Sequence, residues 1–458
     1  MKSRAKVLLV ALVSVAVVYT AAAWAIGINV QRQLERREDQ LLQNAPYLAL
    51  ITRQYDRGIY TSTEQATYGL KLPAAFGGIA RAVPAGATSS PQLTIRNTIH
   101  HGPLPGLRNL GLASIDTVLV LPPELSRKLD AIFGGRPAVS IRTRLSWRGG
   151  TGTEFSSPAF QMQLPAGGTL NARGLSGSFT TGRDLTSWSG HITAGGFSAQ
   201  GPRGRVDLGN FSLDSQMRRV FESLYVGDTS FKLASAEVQP SNTDAPFRLK
   251  GVSLRGTSSA SGDYFDTAAD LSADEVHIAK VSLSHVAYGH HLGHLEGTAL
   301  ASLTQALRAA QAAASPGAPP AALALRDAFS RDGIELLVHD PVLEITHMDF
   351  AMPEGQFHLS AKLAAPGLRR ADLSGPAGLV GAIPFLDCMV DLRVDTALVS
   401  KLLESSAQAA QHSDQIQKLE QQGYLKREGA TFTARLVFRH GKLTVNGQSY
   451  PPAPTAAG

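Results

Sequence analysis

Residues 139–147 read VSIRTRLSW, and this stretch decides the fold class of the chain. One face of an extended backbone would carry five residues, most of them favoured in strands: Val139, Ile141, Thr143, Leu145 and Trp147. The opposite face would carry Ser140, Arg142, Arg144 and Ser146. This period of two predicts a half-buried β-strand, with one face on a core and the other in water.

Similar strand patterns recur along the chain and are separated by glycine-rich turns. Strands are predicted at residues 114–121, 158–170, 175–181, 187–197, 205–214, 230–238, 247–257, 263–272, 275–283, 334–346, 356–363, 430–438 and 442–445. The spacing of about 10–15 residues is too short for a crossover helix between most strands, so it favours antiparallel pairing.

Helices are expected at only a few places between the strands. They are predicted at residues 122–133, 214–225, 296–314, 321–330 and 395–422, and a Gly/Pro-rich loop is predicted at 366–384. The expected fold class is therefore mainly β with attached helices (α+β), in which a long, mostly antiparallel sheet follows an N-terminal transmembrane helix.

The transmembrane helix is expected at residues 7–28, which are mostly apolar and follow three basic residues. No Asp, Glu, Lys or Arg occurs from residue 7 to residue 31. At about 1.5 Å per residue the run spans about 33 Å, enough for a hydrocarbon core of about 30 Å. Two interpretations stay open, an uncleaved anchor and a signal peptide cleaved near the A-x-A-like site at residues 23–25. The basic leader favours a cytoplasmic N-terminus, with the body outside the cytoplasm.

Composition excludes several classes of protein. The chain has 458 residues, of which 43% are hydrophobic and 17% charged, so it can bury a sizeable core. The single cysteine, Cys388, excludes an intramolecular disulfide framework and Cys-rich zinc or iron–sulfur sites. A net charge of +6 without a dense run of Lys or Arg gives no indication of nucleic-acid binding.

Several short motifs follow one another in a recognisable order along the chain. They are YDRGIYTS at residues 55–62, NTIHHGPLP at 97–105, PVLEI at 341–345, GYL at 423–425 and GKLTVNGQ at 441–448. In these motifs and their order the chain resembles the YdgA-like family of bacterial envelope proteins of unknown function. The resemblance implies a single-pass protein of the bacterial inner membrane, with its C-terminal body in the periplasm. It also suggests a distant relation to AsmA-like proteins, so the long sheet is expected to be curved.

The domain organisation expected from these patterns has five segments. They are a membrane anchor or signal peptide at 1–30, a juxtamembrane helix at 31–45, a β-rich body at 46–295, a helical connection at 296–333, and a second β segment at 334–458 with a long polar helix near 395–422.

The motif positions that carry the resemblance are interpreted as structural. They are Tyr55, Arg57, Gly58, His101, Gly102, Pro103, Asn446 and Gly447. Arg57 is expected to pair with a carboxylate, and Gly58 to mark a β-bulge. His101 is expected to bond a backbone carbonyl beside a Gly-Pro turn. A ligand or peptide contact through its ring is the functional alternative.

No metal ion, cofactor or catalytic residue is predicted. His285, His290, His291 and His294 form the densest group of potential metal ligands. Two of them, His290 and His294, would share one face of a helix, but the segment is predicted as a strand and turn. The signatures G-x-S-x-G, H-E-x-x-H and G-x-x-x-x-G-K-[ST] are missing from the sequence.

The leading hypothesis is a membrane-anchored, non-enzymatic periplasmic protein. It would bind phospholipid or glycolipid in an apolar sheet groove and act in envelope homeostasis. One alternative is a periplasmic scaffold that binds a protein partner or self-associates through its helices. A second alternative is a hydrolase of an envelope polymer. A continuous apolar sheet face would favour the first hypothesis, an exposed apolar helix face the second, and a concave polar pocket the third.

Overall fold

The computed structural model describes residues 2–44, 48–70, 92–107, 110–121, 123–164, 167–241, 246–313, 329–373, 378–404 and 409–450. Within α1 (Lys2–Asn44), side chains are described at residues 16–40 and 42. The chain forms two compact units. Unit 1 comprises Met1–Met162 and Asn171–Gly195, and unit 2 comprises Gln163–Leu170 and Gly196–Gly458.

Unit 1 is an antiparallel meander that carries α1 on one face. Its remaining elements are β1 (Leu48–Asp56), β2 (Thr61–Leu70), β3 (Gln92–His101), β4 (Ala113–Val120), α2 (Pro123–Phe133), β5 (Ser140–Leu145), β6 (Thr151–Ser157), β9 (Leu175–Thr181) and β10 (Ser187–Ala194). The strands pair in the order β1-β2-β3-β4-β5-β6-β9-β10. β7 (Phe160–Gln163) and β8 (Thr169–Ala172) lie where the chain leaves and re-enters unit 1.

The core of unit 1 lies between α1 and the sheet. Val30 of α1 is fully buried among Ile99, Ala113, Ile115 and Leu145, which come from β3, β4 and β5. Residues that pair directly across antiparallel strands share a face, and Ile99 pairs with Ile115. The alternating pattern of residues 139–147 therefore predicted this strand correctly, because Leu145 faces the core while Arg144 is exposed.

Unit 2 is likewise built of antiparallel strands, many of them longer. Its strands are β11 (Phe197–Gly201), β12 (Gly204–Leu208), β13 (Phe211–Val220), β14 (Leu224–Pro240), β15 (Phe247–Ser261), β16 (Tyr264–Ile278), β17 (Val281–Glu296), β18 (Val342–Met352), β19 (Gly355–Ala364), β20 (Asp387–Asp395), β21 (Lys426–Glu428), β22 (Thr431–Arg439), β23 (Lys442–Val445) and β24 (Gln448–Tyr450). From β13 the neighbours follow in the order β13-β14-β15-β16-β17-β18-β19-β20-β22-β23-β24. β12 also pairs with β14.

The helices of unit 2 pack at the ends of its strands. They are α3 (Gly297–Ala313), α4 (Ile334–Leu337), α5 (Arg370–Leu373), α6 (Thr396–Glu404) and α7 (Ala409–Gln421). Leu398 of α6 is fully buried beside Val394 and Phe432. Glu296 accepts hydrogen bonds from the amides of Thr298 and Ala299, so it caps the N-terminus of α3.

The expected fold class is confirmed in its main features, a long antiparallel sheet with attached helices. Among the described residues, no helix is long and apolar enough to cross a membrane. The polar helix expected at 395–422 is present as α6 and α7, and residues 405–408 between them lie outside the described residues. The helix predicted at 321–330 also lies almost wholly outside them.

Four predictions of local structure are wrong. The strand predicted at 275–283 is interrupted by the turn at residues 279–280 between β16 and β17, and the loop predicted at 366–384 contains α5 and a 3-10 helix at Gly378–Phe385. The other two concern residues 214–225 and 334–346.

Residues 214–225 are not helical but form the second half of β13, a turn at residues 221–223 and the start of β14. In the turn, Phe221 and Glu222 take positive φ angles of 42° and 51°. The strand predicted at 334–346 starts only at Val342, because residues 334–337 form α4. At residues 214–225, side chains from residue 211 to 220 alternate along the strand, and this period of two outweighed the local preference for a helix.

Candidate functional site

One face of the unit 2 sheet is apolar along rows that run across many strands. Direct cross-strand partners form three such rows. The first is Leu213, Phe231, Leu254, Leu271, Tyr288, Met348, Leu359, Leu392 and Ala434. The second is Ala269, His290, Ile345, Ala361, Val390, Leu436 and Val445, and the third is Leu292, Leu343, Leu363, Cys388, Phe438 and Leu443. We call this surface the apolar face.

The opposite face of the same strands is polar. The row next to the first apolar row consists of Ser212, Lys232, Ser253, Ser272, Ala287, Asp349, His358, Arg393 and Thr433. Further along, Arg435 pairs with Asp391 at 3.1 Å and Arg439 with Asp387 at 2.9 Å. The two faces of this sheet therefore differ sharply in polarity.

Several large side chains of the apolar face are exposed. Leu254, Leu271, Leu343 and Leu363 are 37%, 40%, 42% and 38% exposed. Soluble monomeric proteins rarely expose contiguous apolar patches larger than a few hundred Å². At about 4.8 Å between strands, the nine residues of the first row extend over about 38 Å. Such a surface is typical of an interaction site.

A shallow cavity of about 400 Å³ lies on the apolar face. Its lining includes Tyr288, His290, Leu343, Leu363 and Cys388. The Nδ1 atom of His290 is buried and has no hydrogen-bond partner among the described residues. Burial also raises the pKa of the Cys388 thiol, and the charge of Asp387 raises it further. His290 Nδ1 and the Cys388 thiol, two of the few polar groups on this face, are therefore themselves in poorly hydrated surroundings.

Helices cover one end of the apolar face. Phe350 and Phe357 stack with their ring centroids 4.8 Å apart and pack against the cluster around Leu398 of α6. Ile416 of α7 joins the same cluster. Within the described residues the middle of the face, around Leu271 and Leu343, has no such cover.

The motif residues near His101 form a separate site in unit 1, where they hold α1. The His101 side chain is only 2% exposed; its Nδ1 atom lies 3.1 Å from the carbonyl oxygen of Ala23, and its Nε2 atom lies 3.1 Å from Ser62 Oγ. A Cβ atom on Gly27 would come within 2.7 Å of the ring, so only glycine lets the helix approach this closely. We call His101, Ser62 and the neighbouring motif residues the α1 socket.

The other predicted residues of this region lie in the same socket. Gly102 has a φ of 128° and packs on Ala23, while Pro103 follows it at the end of β3. Tyr55 packs against the core cluster, and its burial raises the pKa of the phenol. The bulge expected at Gly58 is wrong, and the carboxylate partner expected for Arg57 is not seen among the described residues. Arg57 lies over the Trp24 ring at 5.9 Å, and Gly58 lies in the turn between β1 and β2, not in a bulge.

An ion-pair cluster joins α1 to β1 and β2 next to the socket. Arg53 contacts Glu64 at 2.6 Å and Glu38 at 3.2 Å. Glu64 is only 6% exposed, and Asn97 donates a further hydrogen bond to it at 2.8 Å. Tyr68 donates to Glu38 at 2.5 Å, and burial together with this bond raises the pKa of Tyr68. The cluster fixes the rotation of α1 on the sheet.

The remaining predicted residues, Asn446 and Gly447, form the turn between β23 and β24 in unit 2. Asn446 has a φ of 50°, and its Oδ1 atom accepts a hydrogen bond from the Arg435 amide at 2.9 Å. Its Nδ2 atom donates to the carbonyl oxygen of Gly423 at 3.1 Å. Asn446 therefore joins two of the short sequence motifs, GKLTVNGQ and GYL.

The histidines of residues 285–294 do not converge. His294 stacks on Tyr264 with a centroid distance of 3.8 Å and bonds the carbonyl oxygen of His339, while His291 lies 3.8 Å from Asp266. No group of three or more potential ligands that could hold a metal ion occurs among the described residues. His285 instead lines a polar concavity of about 650 Å³ on the opposite face, beside the His358–Asp349 pair.

The comparisons with known proteins agree with the motifs. The model of the family described as "Bacterial protein of unknown function (DUF945)" matches residues 1–453, and the chain belongs to this family. It is 23% identical over 489 residues to Protein YdgA of Escherichia coli (strain K12), an alignment that covers 95% of this chain and 93% of YdgA. No solved structure matches. The YdgA-like resemblance is thus confirmed, and the relation to AsmA-like proteins stays a prediction.

The sequence alone did not reveal the apolar face. Its residues are spread over more than 200 positions of the chain, from Leu213 to Val445. The available signal was the alternation within each strand, which says that one face is apolar but not which residues of different strands lie side by side. The register supplies that information.

Proposed function

We propose that this protein is a membrane-anchored, non-enzymatic envelope protein that holds lipid acyl chains on the apolar face of unit 2. The observation that carries the proposal is the set of three rows, apolar except for His290, with exposed leucines at their centre. Acyl chains fit such a surface because it offers length and apolar contact without charges. A surface meant for a folded protein would normally place polar groups among its apolar ones.

The membrane anchor is part of this proposal. Its support is the apolar run at residues 7–28 behind a basic leader, which has the length of a bilayer core. The same leader supports an N-terminus in the cytoplasm and a body in the periplasm. Phospholipid and glycolipid share the acyl chains that the apolar face would contact, so the headgroup is left to the experiment.

The proposal is tested by counting lipids on the purified protein. The full chain is extracted in a detergent without phosphate, exchanged extensively, and analysed by lipid mass spectrometry. Leu271→Arg places a charge on the apolar face, whereas Ser272→Arg places the same charge on the opposite face one residue away. Both residues are exposed, so neither variant is expected to lose its fold.

We expect about one or more lipids per chain in the wild type and in Ser272→Arg, and a loss of at least half in Leu271→Arg. Equal lipid content in the two variants would contradict the proposal, as would a wild type free of lipid. In that case the scaffold and hydrolase alternatives, which stay predictions, become the leading ones. The polar concavity beside His358 would then be the first place to examine for activity.

A further inference from the structure

The end of the unit 1 sheet that holds α1 carries an unusual set of exposed apolar side chains. Ile59 and Tyr60 precede β2, Leu104 follows β3, and Trp24 lies on α1 beside them. All four are at least 41% exposed. We call this group the tip of unit 1.

The tip is held firmly against α1. Tyr60 stacks on Tyr19 with ring centroids 6.1 Å apart, and its hydroxyl lies 2.5 Å from Thr20 Oγ1. The Tyr19 hydroxyl donates to the carbonyl oxygen of Leu104 at 3.3 Å. Wherever residues 19–24 of the helix lie, the tip must therefore lie at the same depth.

The sequence fixes that depth if α1 is the anchor. The uncharged run starts at Val7, and a hydrocarbon core of about 30 Å takes about 20 helical residues, which reaches Ile26. Tyr19 then lies about 10 Å inside the hydrocarbon boundary on the side of the body. Moving the tip out to the surface would draw Lys6 and Arg4 into the apolar core, which is costly.

The composition of the tip fits an interface between lipid and water. Trp and Tyr are enriched where hydrocarbon meets headgroups, because an apolar ring and a polar group lie on one side chain. Arg57 lies over the Trp24 ring, and its long stem allows the guanidinium to reach the headgroups. Val17 and Val18, about two turns before Trp24, are among the most exposed large side chains of α1.

From these contacts we infer that the tip of unit 1 is immersed in the bilayer leaflet that faces the body. Ile59, Tyr60 and Leu104 contact acyl chains there, beside Trp24. This inference rests on the anchor of the proposed function and adds a second point of membrane contact. It places the socket residue His101 at the membrane boundary, sealed from lipid between α1 and the sheet.

Depth can be measured with spin labels on the full chain in a Cys388→Ser background. The protein is reconstituted in bilayers of phosphatidylcholine and phosphatidylglycerol, and each label is tested for relaxation by oxygen, which enters lipid, and by a water-soluble nickel chelate. Leu104→Cys reports the tip, and Ile59→Cys repeats the test if the first variant does not fold. Ile132→Cys, exposed on α2 of the same unit, is the matched control. Ala11→Cys reports the anchor.

We expect oxygen to relax the labels at residues 104 and 11 more strongly than nickel does, by at least twofold, with the reverse at residue 132. A lipid-exposed label at residue 11 together with a water-exposed label at residue 104 overturns the immersed tip and leaves the anchor intact. Water exposure at both positions overturns the anchor as well. Spin–spin coupling between labels at residue 104 would show a second copy covering the tip, and this also overturns the inference.

Discussion

His101 and Ala23 are joined by a hydrogen bond of 3.1 Å across 78 positions of the chain. The carbonyl oxygen of Ala23 can only accept, so the proton of the neutral imidazole is on Nδ1. The Nε2 atom then accepts from the Ser62 hydroxyl. This one ring thus connects α1, β2 and β3, and it makes the docking of the helix depend on a titratable group.

Docking of α1 should weaken in acid. Burial is the main cause that lowers the pKa of His101, and the nearby charges of His100 and Arg57 lower it further, against the effect of the Ala23 bond. The unfolded chain, with a pKa of about 6.5, therefore binds this proton at a higher pH than the folded chain. The free energy of unfolding is then fully maintained above about pH 6.5 and falls as the pH drops toward the folded-state pKa.

The variant His101→Asn tests whether His101 causes this pH dependence of the free energy of unfolding. Asparagine retains a donor for the Ala23 carbonyl oxygen but does not titrate. Thermal unfolding followed by circular dichroism between pH 5 and pH 7.5 should show a smaller acid loss in the variant. At pH 7.5 the variant should be about 1–3 kcal/mol less stable, because the Ser62 bond is lost or distorted. Identical pH profiles for the two proteins would exclude His101 as the source.

Removing Arg53 should destabilise unit 1 strongly. In Arg53→Ala the carboxylate of Glu64, 6% exposed, loses its ion pair, and breaking a buried pair in this way costs about 3–5 kcal/mol. Arg53→Met combined with Glu64→Leu should recover part of this loss, since the buried charge of Glu64 is gone, whereas Glu38 stays charged and keeps only the bond from Tyr68. Denaturant titration gives the free energy of unfolding of the single and the double variant.

The matched control is Arg144→Ala, which breaks an exposed pair with Glu154 in the same unit. Exposed pairs contribute about 0–1 kcal/mol, so this variant should unfold almost like the wild type. Equal losses for Arg53→Ala and Arg144→Ala would mean that the cluster does not hold α1.

Asn446 should stabilise the C-terminal hairpin through its side chain as well as its backbone. Asn446→Ala removes the bonds to Arg435 and Gly423 and leaves alanine at a positive φ, for an expected cost of about 2–3 kcal/mol. Asn446→Gly loses the same bonds without the strain and should be about 1 kcal/mol less affected. If Asn446→Gly has the same free energy of unfolding as the wild type in denaturant titrations, the side-chain bonds of Asn446 do not stabilise the hairpin. That result would contradict the prediction.

Cys388 provides a reporter for the apolar face. Its raised pKa leaves little thiolate at pH 7.5, so alkylation by iodoacetamide should be slower than that of a free thiol. Lipid in the cavity should slow it further, and extraction of the lipid should restore the rate. Leu110→Cys in a Cys388→Ser background, exposed in unit 1, should react at a rate that lipid does not change. A Cys388 rate that is indifferent to lipid would place the lipid elsewhere.

The sequence predicted elements well where a single period dominated. Residues 139–147 alternate, and β5 forms there with Leu145 buried. The helix predicted at 296–314 is α3, which begins one residue later because Glu296 caps it and does not enter it. The helix predicted at residues 214–225 is wrong because their polar composition is typical of a helix, whereas they form a hairpin around the turn at Phe221 and Glu222.

The sites depended on information that no local pattern contains. The apolar rows need the register of several hairpins, and that register includes irregularities such as the one between Ile345 and Met348. A shift by one residue would move every side chain of a strand to the other face. The α1 socket likewise depends on a long-range contact, since Gly27 gives no hint in the sequence that the His101 ring packs on it.

Photo-crosslinking shows whether acyl chains lie on the apolar face. The full chain is reconstituted with a phospholipid that carries a photoactivatable group in its acyl chain, and the adducts are mapped by peptide mass spectrometry. We predict adducts on strands β16 to β19, at or beside Leu271, Tyr288, Leu343 and Leu363, and their loss in Leu271→Arg but not in Ser272→Arg. Adducts confined to α1, with none on these strands, would contradict the account.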